Sequence, residues 1–173
     1  MEITLEPVTA TTMSDYIAVG TKSYKEHYLH LWESENPTPY IEKSFTKDVV
    51  KTELANANMV HFLVKAEHTT IGIVKLVIDC PLDELPANDL VLIEKIYLLR
   101  EFSGKGNGKK ALQLIEAYAK GLRKKMIWLD TMKKANAINF YIKNGFQIKR
   151  ESELTLKGVK PSEKAIWILT KSI

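Results

Sequence analysis

The chain has 173 residues, 45% apolar and 27% charged, with a formal net charge of +4. That excludes a disordered or fibrous protein and leaves enough chain to bury a core in one domain, residues 1–173. No apolar run nears the ~20 residues of a membrane span, and Met1-Glu2-Ile3-Thr4-Leu5-Glu6-Pro7 lacks the basic and apolar parts of a secretion signal. With Cys80 the only cysteine, no internal disulfide forms, and the expectation is a cytoplasmic protein in a reducing compartment. The positive excess is mild and its residues are spread along the chain. It suits an anionic ligand and does not indicate nucleic acid.

Ile3 and Leu5 alternate with polar residues and predict a first strand. Thr11, Thr12 or Ser14 caps a helix toward Tyr28 or Leu31, a loop follows over Trp32 to Pro39, and a second helix is predicted from Tyr40 to Ala55. Val60–Ala66 and Ile71–Ile78 predict two strands joined by a turn at Glu67 to Thr70. Pro81 to Asp89 reads as a loop and Leu90 to Leu98 as the next strand. Ala111, Leu112, Ile115, Tyr118, Ala119 and Leu122 give one apolar helix face, with Gly121 placed for a left-handed C-terminal residue. Met126 to Leu129 predicts a short central strand, Ala135 to Lys143 a helix ended by Asn144-Gly145, and Phe146–Arg150 and Ala165–Thr170 the last strands. Antiparallel pairs then bracket a central strand–helix–strand unit, so the sheet is expected to be mixed.

The distinctive stretch is Phe102-Ser103-Gly104-Lys105-Gly106-Asn107-Gly108-Lys109-Lys110. Glycines at alternate positions between a strand and a helix N-terminus allow tight turning and close ligand approach. Unpaired amides and the helix dipole add positive potential there, a cradle for pyrophosphate. A nucleotide-triphosphate loop would need Ser or Thr after Gly108-Lys109, where Lys110 stands. A dinucleotide fold would carry its glycines after the first strand rather than the fourth.

Asn136-Ala137-Ile138-Asn139-Phe140-Tyr141-Ile142-Lys143-Asn144-Gly145-Phe146 follows some thirty residues on. Together with the glycine stretch and Ile93-Glu94-Lys95-Ile96-Tyr97-Leu98, it resembles the GNAT superfamily of acyl-CoA-dependent N-acyltransferases, from roughly Val60 to Phe146. Within that superfamily, Ile17 to Phe45 and Glu94 to Gly108 are similar to bacterial polyamine N-acetyltransferases. The resemblance implies an α/β (α+β) fold with a mixed, mostly antiparallel sheet, acetyl-CoA as cosubstrate, no metal, and direct transfer to an amine in a ternary complex. The pyrophosphate motif begins at Ser103, where the family usually has Gln or Arg. Lys134 stands where an Asn is common.

By the same resemblance, amides from Ser103, Gly104, Lys105, Gly106, Asn107 and Gly108 would hold the pyrophosphate. Backbone groups of Ile96, Tyr97 and Leu98 would pair with the pantetheine arm between splayed strands, with Lys134, Asn136, Phe140 and Lys143 also toward the cofactor. Tyr141 matches the family's frequent general acid, although packing beside Phe140 would explain it too. Glu94 interrupts an apolar strand and is a base whose pKa burial would raise, or else an ion-pair partner of Lys95. Asp130 is a second acid, and Tyr28, Trp32 and Glu33 belong to the acceptor side, where aromatic faces with carboxylates suit a cationic amine. His27, His30, His61 and His68 lack a shared metal-ligand spacing. The acceptor could be a polyamine, a peptide amine or another small amine, and the oligomer a monomer or homodimer. A non-catalytic CoA-binding protein on the same fold is the alternative.

Overall fold

A computed structural model describes residues 2–173. Seven strands form one sheet through them, in the order β1-β2-β3-β4-β5-β7-β6. They are β1 Ile3–Pro7, β2 Met59–Ala66, β3 Thr69–Ile78, β4 Leu90–Leu98, β5 Met126–Met132, β6 Gln147–Glu153 and β7 Ala165–Ser172. β4 and β5 pair in parallel, and the other neighbours are antiparallel. The helices are α1 Met13–Tyr28, α2 Thr38–Ser44, α3 Lys47–Leu54, α4 Asn107–Gly121 and α5 Ala137–Lys143. No helix among the described residues is long and apolar enough to cross a membrane.

Alternation along the strands gives the sheet two buried faces. Phe62, Val64, Val74 and Leu76 pack with Ala111, Leu112, Ile115 and Ala119 of α4. Leu63 and Ile73 point the other way, onto Tyr16 and Tyr24 of α1, Phe45, and Val50 of α3. The parallel β4–α4–β5 unit sits at the centre, as its connection through a crossover helix requires.

Five local readings are corrected. The helix expected over Tyr40 to Ala55 is two helices, α2 and α3. Phe45 breaks it by turning into the core against α1, where Gly20 leaves room that a Cβ would take from the Phe45 ring. Thr46 then starts α3, its Oγ1 accepting from the Val49 amide at 3.3 Å. The segment 32–39 is not wholly loop: a 3₁₀ turn covers Glu33–Glu35 and α2 begins at Thr38. At the end of α4 the left-handed residue is Arg123, with φ 58°, rather than Gly121. Leu122, placed on the apolar face of α4, is 42% exposed. β5 runs on to Met132, three residues past the predicted end.

Candidate active site

β4 and β5 pair over only three registers, Leu90 with Met126, Val91 with Ile127 and Leu92 with Trp128. Beyond that β4 stays on β3 while β5 continues with β7, so a gap opens between them. The Leu99 amide donates to the Ile71 carbonyl on β3 at 2.9 Å. Amide direction alternates along a strand, so Tyr97 also faces β3, while Ile96 and Leu98 present their backbone groups to the gap. The expected use of the Tyr97 backbone is therefore corrected. The Leu98 carbonyl already accepts from His27 Nε2 at 3.0 Å.

The glycine stretch lies at one end of this gap. Gly104 and Gly106 have φ 72° and 82°, conformations that favour glycine, and α4 starts at Asn107. The Ser103 amide is taken by the Arg100 carbonyl at 3.1 Å. Among the described residues, the amides from Gly104 to Gly108 have no backbone acceptor. The buried Asn107 side chain donates to the Phe102 carbonyl at 3.0 Å, which holds the loop's shape and removes that side chain from ligand contact. Phe140 of α5 packs beside Gly108, where an added Cβ would come within 3.2 Å of its ring.

The gap opens into a cleft of about 620 Å³ lined from α1, α2, β4, β5, α5 and the β6–β7 region. One wall is aromatic. Tyr24 and Tyr40 stack at 4.0 Å, Tyr40 and Tyr97 share a hydroxyl–hydroxyl hydrogen bond of 2.7 Å, and Tyr28 lies 5.6 Å from Tyr97 between ring centres. Burial pushes the Tyr28 phenol up, with Asp130 adding to the effect. Trp32 is fully buried and donates from Nε1 to the Tyr24 hydroxyl at 3.0 Å. Its bridge to Val159, the Glu33 amide on the Gly158 carbonyl at 2.9 Å and the Lys160 amide on the Leu31 carbonyl at 2.8 Å clasp the β6–β7 loop onto the end of α1.

The other wall is ionic. Lys75 on β3 faces Lys95 on β4, but Leu76 already faces Ile93, so Glu94 is an extra bulged residue. The bulge lets Glu94 Oε2 reach both Lys75 Nζ and Lys95 Nζ at 2.6 Å. Lys75 also meets Glu53 Oε1 at 2.6 Å, and Glu53 Oε2 meets the buried His61 Nε2 at 2.8 Å. Burial pushes the Glu94 carboxyl up, but Lys95 and Lys75 outweigh it and the pKa ends below the ordinary value. This reverses the raised pKa expected from sequence. Burial likewise raises Glu53, and the His61 and Lys75 hydrogen bonds overcome it, to about 2. Burial lowers the Lys95 ammonium.

Asp130 and Tyr141 complete the cleft. Asp130 lies two residues beyond Trp128, the last β5 residue paired with β4. Burial, then Glu94, raises its carboxyl pKa. Tyr141 on α5 packs between Phe140 and Phe146 at 5.2 and 5.5 Å. Its phenol is raised by burial first, then by Tyr28 and Asp130.

Tyr28, Glu94, Asp130 and Tyr141 thus share one cleft with Ile96 and Tyr97. Several expected site residues do not join it. Glu33 is exposed and outside the lining, whereas Trp32 is among the lining residues, fully buried and bonded to the Tyr24 hydroxyl. Lys134 pairs with Glu163 at 3.1 Å, while Asn136 and Lys143 are exposed at the start and end of α5. Lys75 and Glu53 escaped sequence reading, although a lysine inside the apolar run of β3 was a usable signal. The lining from Ser152 to Leu156 left no sequence signal.

The model of the acetyltransferase (GNAT) family matches residues 22–146. An "uncharacterized N-acetyltransferase in pepI 3'region" of Lactobacillus delbrueckii subsp. lactis is 26% identical over 140 residues, 80% of each chain. The structure of PaiA N-acetyltransferase from Thermoplasma acidophilum in complex with coenzyme A superposes with a TM-score of 0.77 at 21% identity, covering 100% of both chains. A GNAT family acetyltransferase from Elizabethkingia anophelis with acetyl-CoA bound gives 0.61 at 19% identity, covering 99% of this chain and 98% of that one. The splayed strands and the glycine loop thus belong to an N-acetyltransferase fold. The chain belongs to the acetyltransferase (GNAT) family.

Proposed function

We propose that the protein transfers the acetyl group of acetyl-CoA to a primary amine held as a cation, in a ternary complex. The observation that carries this is the separation of β4 from β5 after Leu92 and Trp128, with open amides from Gly104 to Gly108 at one end of the gap. A pantetheine arm fits such a gap as an added strand, meeting backbone groups of Ile96 and Leu98. The diphosphate meets the loop amides and the N-terminus of α4, whose dipole favours an anion. The PaiA structure holds coenzyme A and the Elizabethkingia anophelis structure acetyl-CoA, which supports the same donor here.

The amine must lose a proton before it attacks the thioester carbonyl. Negative charge then develops on the carbonyl oxygen, where a strand amide facing the gap stabilises it. Tyr141 is placed to give its proton to the departing sulfur. Cys80, the only cysteine, is not part of the cleft lining, and burial raises its thiol, so a covalent acyl-enzyme has no thiol to form on.

The tyrosine wall and the carboxylates of the cleft favour a cationic acceptor, and a polyamine is the acceptor class proposed. A thiol-release assay with acetyl-CoA across spermidine, spermine and short peptides tests both parts. Release with spermidine or spermine above that with peptides is expected. Release with none of them, despite CoA binding, would favour a CoA-binding protein without transfer activity.

A further inference from the structure

We propose that Asp130, rather than Glu94, holds the acceptor ammonium and takes its proton, an assignment that rests on the acetyl-transfer reading above. Sequence position favours Glu94, but its oxygen Oε2 is shared by two lysine ammoniums at 2.6 Å each. Receiving a proton there would break two charge-assisted bonds in a part of the cleft where Lys75 and Lys95 are nearly buried. Glu94 is therefore a structural anion that neutralises the lysines.

Asp130 has the opposite setting. It forms no ion pair among the described residues, although its side chain lines the same cleft. Its place at the opening between the strands puts it where an amine would approach a thioester lying along β4. The charged group that acts on it is Glu94 from β4; Asp130 in turn raises the phenols of Tyr28 from α1 and Tyr141 from α5, and β7 offers Ile168 opposite. Three of the cations lining the cleft are committed elsewhere: Arg150 of β6 donates to both Asp83 oxygens at 2.9 Å, and Lys75 and Lys95 to Glu94, while the fourth, Lys43 of α2, is exposed and forms no ion pair with Asp130. A carboxylate lacking a cation, beside a second carboxylate, favours an incoming ammonium. The same surroundings raise its proton affinity above that of an ordinary carboxylate, the direction a proton acceptor needs.

The step balances as follows. One ammonium N–H bond breaks and its proton forms an O–H bond on Asp130. The freed lone pair attacks the thioester carbon, the adduct collapses, the C–S bond breaks and sulfur takes the Tyr141 proton. The second proton leaving nitrogen restores Tyr141 through solvent, and Asp130 releases its own to bulk water. The net result is amide, free thiol and one proton.

The test compares Asp130→Asn, Asp130→Glu and Glu94→Gln with the unaltered protein, using acetyl-CoA with spermidine and with phenethylamine across pH. The unaltered protein should show two proton-dependent limbs in kcat/KM, from the amine and from Asp130. Asp130→Asn should lower kcat/KM by about 100-fold or more, erase one limb and leave the CoA dissociation constant within about twofold. Asp130→Glu should restore the limb in part. The assignment is overturned if Asp130→Asn keeps both limbs at near-normal rate, or if Glu94→Gln is the variant that loses one. A protein that binds CoA yet acetylates neither amine overturns the transfer reading itself, a result distinct from unimpaired Asp130→Asn.

Discussion

Tyr141 is a phenol that burial, Tyr28 and Asp130 all keep protonated. A group in that state donates at neutral pH and does not compete as a base. Its ring is fixed between Phe140 and Phe146, so Tyr141→Phe removes the O–H and keeps the packing. That variant is expected to lower kcat about 100-fold while CoA affinity stays within about twofold. Steady-state kinetics beside calorimetric CoA binding would check it, and an equal loss in both would remove Tyr141 as the acid. Tyr141 was legible in the sequence because its helix carries a family motif. The lowered pKa of Glu94 was only half legible, since Lys95 is its sequence neighbour but Lys75 lies on β3 and reaches it only across the sheet.

At the level of elements, the bulge in β4 is what joins the strands into an ion network. A regular strand would send Glu94 and Lys95 to opposite faces. The bulge lets them bond each other and lets Lys75 link them to Glu53 and His61. Glu53 titrates at about 2 here against an ordinary 4.5. A carboxyl depressed by folding adds stability above its unfolded value and loses it as pH falls toward the folded one. Glu53→Gln should cost ~3 kcal/mol at neutral pH, because it strands buried partners. The difference from the unaltered protein should shrink as pH falls from 4.5 to about 2. Urea unfolding at stepped pH measures this, and a constant difference would rule out Glu53 as the titrating group. Strands and α4 were readable from apolar periodicity. The split between α2 and α3 was not, because Phe45 turns inward through a space that exists only where Gly20 packs against it.

For the molecule as a whole, the sheet is two halves, β1 to β4 and β5 to β7, joined by three strand registers and by α4. A ligand lying in the gap would bridge them. CoA is expected to slow hydrogen exchange at the Ile96 and Leu98 amides and along β5, and to raise the melting temperature with ligand concentration. Exchange mass spectrometry reads both halves at once. Protection confined to the helices would place the cofactor outside the gap. Mixed-sheet architecture and the glycine loop were legible from element order and motif. The contribution of the β6–β7 loop was not, because its contacts are made with chain more than a hundred residues earlier.

That loop places Gly158 behind the aromatic wall proposed to receive the acceptor. With φ 91° it sits under the Trp32 ring, where an added Cβ would come within 3.5 Å, and Trp32 in turn steadies the hydroxyl of Tyr24. The Cβ itself would meet the indole at ordinary contact distance, but at this φ a side chain strains the backbone, so a substitution would shift the loop and with it the support of the stacked tyrosines. On the proposed reading, selectivity among amines is thereby tunable from a position outside the cleft lining.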